Sequence, residues 1–406
     1  MRLFILIAAL SVLAAVSPAQ TFTVLHNFTG VSNGGRPETT MALSGNTLYG
    51  TTSDLSGRPA ILYKVNTDGT GFGVVHSSTT PDWAAPKSVI LSGNTLYGTT
   101  AGGYGSGTVF KVNTDGSNYT ILNAFNAYDL PQAGVVLGGD TLYGTTSQGG
   151  SWGGGSVFKV NTDGTGFAVL YSFPPWPTNN IDGWQPWAEL TLNGSTLFGT
   201  TSSGGGGNSG TVFKVDTNGS GFAVLHDFPD APTGPWGGLV LSGNTLYGTA
   251  QNDENSTQGT IFKVNIDGSG FARLHSFSPP VYNPDLGRDT NADGGLPLAG
   301  LVLGGNILYG AAAIRGAGGN GTVFSLQLQA PVAPVISSVT QTNSALAFTW
   351  SANPGSSYQI QYATAAASTN WSNLGAAIIA TNSTASVSDP IASDPQRFYR
   401  VVLLGP

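Results

Sequence analysis

The chain has 406 residues, of which only 9% are charged, 59 are glycine and none is cysteine, and its net charge is -7. A sparse, acidic charge pattern excludes nucleic acid as a partner, because phosphate binding needs a concentrated basic surface and the 14 Lys and Arg are scattered. Lack of cysteine excludes a disulfide framework and thiolate metal sites, while a 40% hydrophobic content placed at regular intervals excludes disorder.

Residues 1–19 carry Arg2, an apolar run from Leu3 to Val16 and the small residues Ser17 and Ala19. This is the pattern of a secretory signal peptide, so the expected location is secreted or cell-surface. The apolar run is shorter than the roughly 20 residues of a membrane-spanning helix, so no membrane span is expected.

From residue 43 the chain repeats itself. LSGNTLYGTT at 43–52 returns unchanged at 91–100, and drifted copies begin at Leu137, Leu192, Leu241 and Leu303. The anchor aromatics Tyr49, Tyr97, Tyr143, Phe198, Tyr247 and Tyr309 are separated by 48, 46, 55, 49 and 62 residues. A period of that size signals a solenoid or a propeller. Within one copy, 237–277, GGLVLSG and TLYGTA read as two strands joined by the tight pair Gly243-Asn244. A polar loop leads to GTIFKVN, the turn 265–268 follows, and FARLHSF is the fourth strand. Four short strands bounded by turn residues make one propeller blade.

The third-strand motif (LYKV, VFKV, IFKV, VFSL) occurs six times, and so does the fourth-strand motif, which begins at Phe22, Phe72, Tyr119, Phe167, Phe222 and Phe271. The chain thus opens on a lone fourth strand and leaves the array on a third. The expected fold is all-β: a six-bladed β-propeller over 20–329, closed by the N-terminal strand 22–28 pairing beside 323–329, which removes open sheet edges.

The pattern L-x-G-x-T-L-Y-G-T-T, a Gly-rich gap, G-T-V-F-K-V-N-T-D-G-T-G-F and V-L-H-x-F resembles the Gloeo_Verruco (GloVer) tandem-repeat family of exported bacterial proteins. The resemblance covers roughly residues 21 to 329. It implies a propeller-type fold and export, often with further C-terminal modules, and it implies no activity and no catalytic residues. Beyond the Pro-containing linker QAPVAPV, residues 330–406 resemble a small fibronectin type III-like β-sandwich, with ALAFTW, SYQIQYA, ASVSD and RFYRVVLL as strands and Trp350 as core.

His26, His76, His226 and His275 occupy one column of the fourth strand, where other copies have Asn123 and Tyr171. A residue multiplied by the repeat reads as a structural contact between blades, and no catalytic residue is assigned. Asp68, Asp115, Asp163, Asp267 and Asn218 recur at the third-to-fourth turn, where turn chemistry accounts for them. Asp289, Asn291 and Asp293 match the opening of a calcium loop, D-x-N-x-D-G, but the twelfth position is Gly300 rather than Glu. Calcium is one reading and an ordinary turn the other; no other cofactor is expected.

Alternating connections put the two tight hairpins of each blade on one face and the variable loops on the other. Trp83, Trp152, Trp176, Trp184, Trp187 and Trp236 all fall in the variable loops or their edges. Amphipathic indoles on loops held by a rigid scaffold suit recognition, and equally suit packing of the loops. The expectation is a monomeric binding module for an extracellular glycan, other polymer or protein. The rivals are a polysaccharide hydrolase or lyase using acids such as Glu38, Asp182 and Glu189, and a structural surface protein.

Overall fold

The structure is a computed structural model. It describes residues 41–404 except 53–59, 78–85, 102–106, 127, 175–180, 230–233, 252–257, 318, 320–321, 329–333, 342–344, 353–355, 366–367, 381 and 391–396. The proposed signal peptide and the strand 22–28 lie outside the described residues. Two compact units are formed, one within Val24–Leu328 and one within Gln329–Pro406. No helix among the described residues is long and apolar enough to cross a membrane.

Among the described residues the first unit, β-propeller-like, has six antiparallel sheets of three or four strands, one per sequence repeat, and one two-stranded hairpin. Five have four strands in chain order, and the sixth has three among the described residues. The fifth shows the pattern: Val240–Ser242, Thr245–Ala250, Thr260–Asn265 and Ala272–Ser276. In the sixth they are Val302–Gly304, Ile307–Ala312 and Thr322–Gln327. Every third-to-fourth pairing carries the same register shift, as between Ile261 and Phe262 in the fifth sheet.

Period-two alternation buries both faces of these sheets. In the fourth sheet Phe213 and Val215 pack with Tyr143, Val157 and Phe173 of the third, while Val212 joins Leu239, Leu246 and Phe262 of the fifth. The same seam recurs between each successive pair of sheets. The invariant Gly of LYGT has a packing reason: a Cβ on Gly199 would lie 2.5 Å from Cζ of Phe213, its cross-strand partner. Each seam also has a polar tie. The hydroxyls of Thr51, Thr99, Thr145, Thr200 and Thr249 donate to a carbonyl leading into the next sheet's first strand.

The second unit contains two antiparallel sheets. One comprises Ile336–Gln341, Ala345–Ser351 and Thr384–Pro390; the other centres on Ser357–Ala363, flanked by Phe398–Leu403 and two short strands. Residues of both sheets share one core around the fully buried Trp350 and Tyr358. Buried Asp389 is satisfied by Arg397 Nη1 and the Tyr399 hydroxyl, each at 2.7 Å. Burial, with that carboxylate, pushes the Tyr399 phenol up to about 12.

Candidate functional site

Hydrogen bonds sort the connections of the array into two faces. In the five four-stranded sheets the third-to-fourth turn is bonded to the first-to-second turn, as by Thr67 N–H to Asn46 O (2.8 Å) in the first, and in the sixth Leu328 N–H, just after the third strand, donates to Asn306 O (2.9 Å). On this turn face the repeated acidic side chains bond within their own turns. Asp163 Oδ1 accepts from the Thr165 amide (2.8 Å) and hydroxyl (2.7 Å), and Asp68, Asp115, Asn218 and Asp267 do the same in their copies. The hydroxyl bond first, and the amide bond second, hold these aspartates below the usual carboxylate range.

On the opposite face, the four described fourth-to-first connections are bonded to second-to-third loops. Gln185 N–H donates to Gly154 O and Leu296 N–H to Gln258 O, both at 2.8 Å, and Gly234 N–H to Ser202 O at 3.2 Å. All length variation falls here, including an inserted hairpin of Val281–Asn283 and Arg288–Thr290 that accounts for the longest repeat interval. Trp152, Trp184, Trp187 and Trp236 lie on this loop face; Trp83, Trp176 and Glu38 lie outside the described residues.

The four indoles divide into two kinds. Trp152 is 64% exposed at the tip of a glycine-rich loop. Trp187 and Trp236 stack on each other with centroids 5.3 Å apart and planes at 12°. Trp184 forms a two-bond bridge with Ser203, and a Cβ on Gly204 would come within 2.7 Å of its ring. Trp184, Trp187 and Trp236 are partly buried, and their indole N–H groups are buried without a hydrogen-bond partner among the described residues. Repeat reading did not single out the exposed apolar residues that accompany Trp152: Tyr128 at 78%, Ile181 at 69% and Tyr282 at 64%. The available signal was position, since all three interrupt the repeat in variable connections.

Beside the indole stack, one column of residues leads into the first strands: Ser88, Gly134, Glu189, Gly238 and Gly300. These segments approach closely. A Cβ on Gly134 would lie 2.8 Å from Glu189 Oε1 and 3.0 Å from Ser88 Cβ, and one on Gly300 would lie 3.2 Å from Gly238 N. The single carboxyl of the column therefore occupies space left by glycine. Burial pushes the Glu189 carboxyl above its ordinary range, against hydrogen bonds from the Ser88 hydroxyl and the Gly134 N–H that pull it down. Asp182, another acid of the loop face, accepts from the Tyr171 hydroxyl at 2.7 Å.

The histidine column joins neighbouring sheets. His76 stacks on Tyr119 and His226 on Phe271, as Tyr171 does on Phe222, with centroids 4.4, 3.4 and 3.7 Å apart. Burial first, and Arg273 second, push His226 down to about 4. The calcium-like segment is bonded both within itself and to its neighbours. Asn291 Oδ1 accepts from the amides of Gly294 and Gly316, and Asp293 Oδ2 contacts His275 Nε2 at 2.9 Å, while Asp289 is exposed on the inserted hairpin. Among the described residues no three His, Cys, Asp or Glu side chains gather in a metal-holding group.

Residues 101–287 match the family model described as the Gloeobacter/Verrucomicrobia repeat. No curated protein matches the chain. Among solved structures it is similar to an oligogalacturonate lyase from Vibrio parahaemolyticus, with 11% identity over 70% of this chain and 74% of that one and a TM-score of 0.44. It is also similar to the β-propeller domain of the Trilobed protease from Pyrococcus furiosus, with 8% identity, coverage of 72% and 81% and a TM-score of 0.42. For the periplasmic gluconolactonase of Pseudomonas aeruginosa these values are 17%, 71%, 85% and 0.41. Residues 101–287 thus resemble repeats of that family.

Proposed function

We propose that this is an exported binding module, a six-bladed propeller followed by a fibronectin type III-like spacer, whose loop face captures an extracellular glycan or related polymer. One observation carries the reading: exposed Tyr128, Trp152, Ile181 and Tyr282 lie in the variable connections of the loop face, whereas the turn face presents internally bonded Asx turns. Flat aromatic surface on a rigid scaffold favours a ligand that stacks, because little side-chain entropy is lost on binding. Export rests on residues 1–19.

The test is a titration of the secreted chain against a panel of polysaccharides and glycans, with calcium and with a chelator. A saturable ligand whose affinity falls about tenfold or more in Trp152→Ala, a loss of ~1.4 kcal/mol or more, supports the reading. No saturable ligand in the panel, or affinity indifferent to Trp152, Tyr128 and Tyr282, leaves a structural surface protein instead. The enzymatic rival has Glu189 in its favour, a buried carboxyl of raised pKa that could serve as a general acid. It requires polymer cleavage that is lost in Glu189→Gln.

A further inference from the structure

The second unit carries an ordered row of polar side chains on the outer face of one sheet. Along its central strand Ser357–Ala363, Ile360 turns into the core with Val401 of Phe398–Leu403, so Gln361 and its cross-strand neighbours turn the other way. Gln361 pairs with Arg400 on one side and with Asn373 of a short edge strand on the other. Arg400 Nε donates to Gln361 Oε1 at 2.8 Å, and Gln361 Nε2 donates to Asn373 Oδ1 at 2.9 Å. The Arg400 guanidinium also lies over the Trp371 ring, 4.4 Å from its centroid, and that indole donates its own N–H to Ser368 O at 3.0 Å.

The direction of these bonds is forced. A guanidinium has no acceptor, so Gln361 must present its oxygen to Arg400 and its amide nitrogen to Asn373, which must answer with its own oxygen. Both amide oxygens are thereby engaged, and what the row turns outward is donors: the two Nη groups of Arg400 and the Asn373 amide, both on exposed residues. Charge is equally one-sided. Residues 330–406 contain four charged side chains, Asp389, Asp394, Arg397 and Arg400. Asp389 and Arg397 are paired at 2.7 Å, and among the described residues no carboxylate meets Arg400.

We propose that this row is a carboxylate-recognition site and that it takes the uronate units of an acidic polysaccharide. A hydrogen bond and a stacked indole hold the Arg400 fork before any ligand arrives, so a carboxylate can be met bidentately with little further loss of rotamer freedom. Neighbouring strands stand about 4.8 Å apart, which puts Asn373 about 10 Å from Arg400 along the row. A uronate carries carboxylate and hydroxyl oxygens on one rigid ring, and successive rings repeat them, which suits donors spread in a line. An acidic peptide suits the site less, because the donors stand on the face of the sheet and not along its edge, where a peptide adds as a strand. The site lies wholly in the second unit and stands apart from the loop-face reading.

The test is a titration of the full chain with polygalacturonate, its fully methyl-esterified form and poly-glutamate, in a Trp152→Ala, Tyr282→Ala background that silences the loop face. Saturable binding of polygalacturonate and none of the neutral ester is expected. Arg400→Ala should weaken it about tenfold or more, and Arg400→Lys, which keeps the charge without the fork, nearly as much. Asn373→Asp, which leaves Arg400 in place, should weaken it as well. No binding of polygalacturonate in this background, full affinity in Arg400→Ala or Arg400→Lys, or tighter binding of poly-glutamate than of the uronate polymer each overturns the proposal. A difference between wild type and the Trp152→Ala, Tyr282→Ala chain bears on the loop face alone, so the two readings fail separately.

Discussion

The turn face and the loop face are made by the same strands and differ in how they treat their polar and apolar groups. On the turn face the repeat is faithful, and Asp163 and its counterparts accept from the amide and hydroxyl two residues on. On the loop face the repeat breaks, and Trp152, Tyr128 and Tyr282 stand in solvent. The difference separates a face whose polar groups bond within each repeat from one whose exposed aromatics the proposed binding role would use. Loops tolerate such variation because the strands beneath them are fixed by seams buried on both sides.

That contrast can be broken from beneath. Phe213→Ala, in the seam that supports both faces, should cost ~3–5 kcal/mol of unfolding free energy in a denaturant titration. A loss under ~1 kcal/mol would mean that the seams do not carry the array, since even modest core truncations cost about that much. Next in size is Glu189. Its carboxyl is raised in the folded state, so its contribution to stability is fully present below the ordinary glutamate range and is lost as pH rises through the raised value. Thermal melts of Glu189→Gln across pH 4 to 9, a window that brackets the ordinary glutamate value of ~4.3, should show a flatter profile than wild type at the upper end. Identical profiles would remove the carboxyl from the account.

The smallest effect belongs to the turn face. Asp163 is lowered in the folded state, so its contribution is present above the ordinary aspartate range and fades as pH falls through the lowered value. Asp163→Ala should lower the melting temperature slightly at neutral pH and not in strong acid, with ligand affinity untouched. A change in affinity there would mean that the two faces are not separate in function.

Much of this contrast was legible in the sequence. Strand, turn and Asx positions follow from spacing and turn chemistry, which act over a few residues, and the observed strands of 237–277 fall within the segments expected. The site was less legible, because its geometry depends on contacts between repeats. Trp187 and Trp236 lie in connections of different repeats, and their stacking is visible only in the folded chain. Glu189 meets Ser88 and Gly134 from two other repeats, which no local pattern encodes. Tyr128 and Tyr282 lie where periodicity is lost, so repeat-based reading is silent on them.

The most direct measurement is a pair of titrations with one polymer ligand, using Trp152→Ala, Tyr282→Ala together on the loop face and Asp115→Ala, Asp163→Ala together on the turn face. Binding weakened at least tenfold by the first pair and unchanged by the second is the result expected, with both variants folded by circular dichroism. Equal affinity in the loop-face variant and wild type would contradict the assignment of recognition to that face.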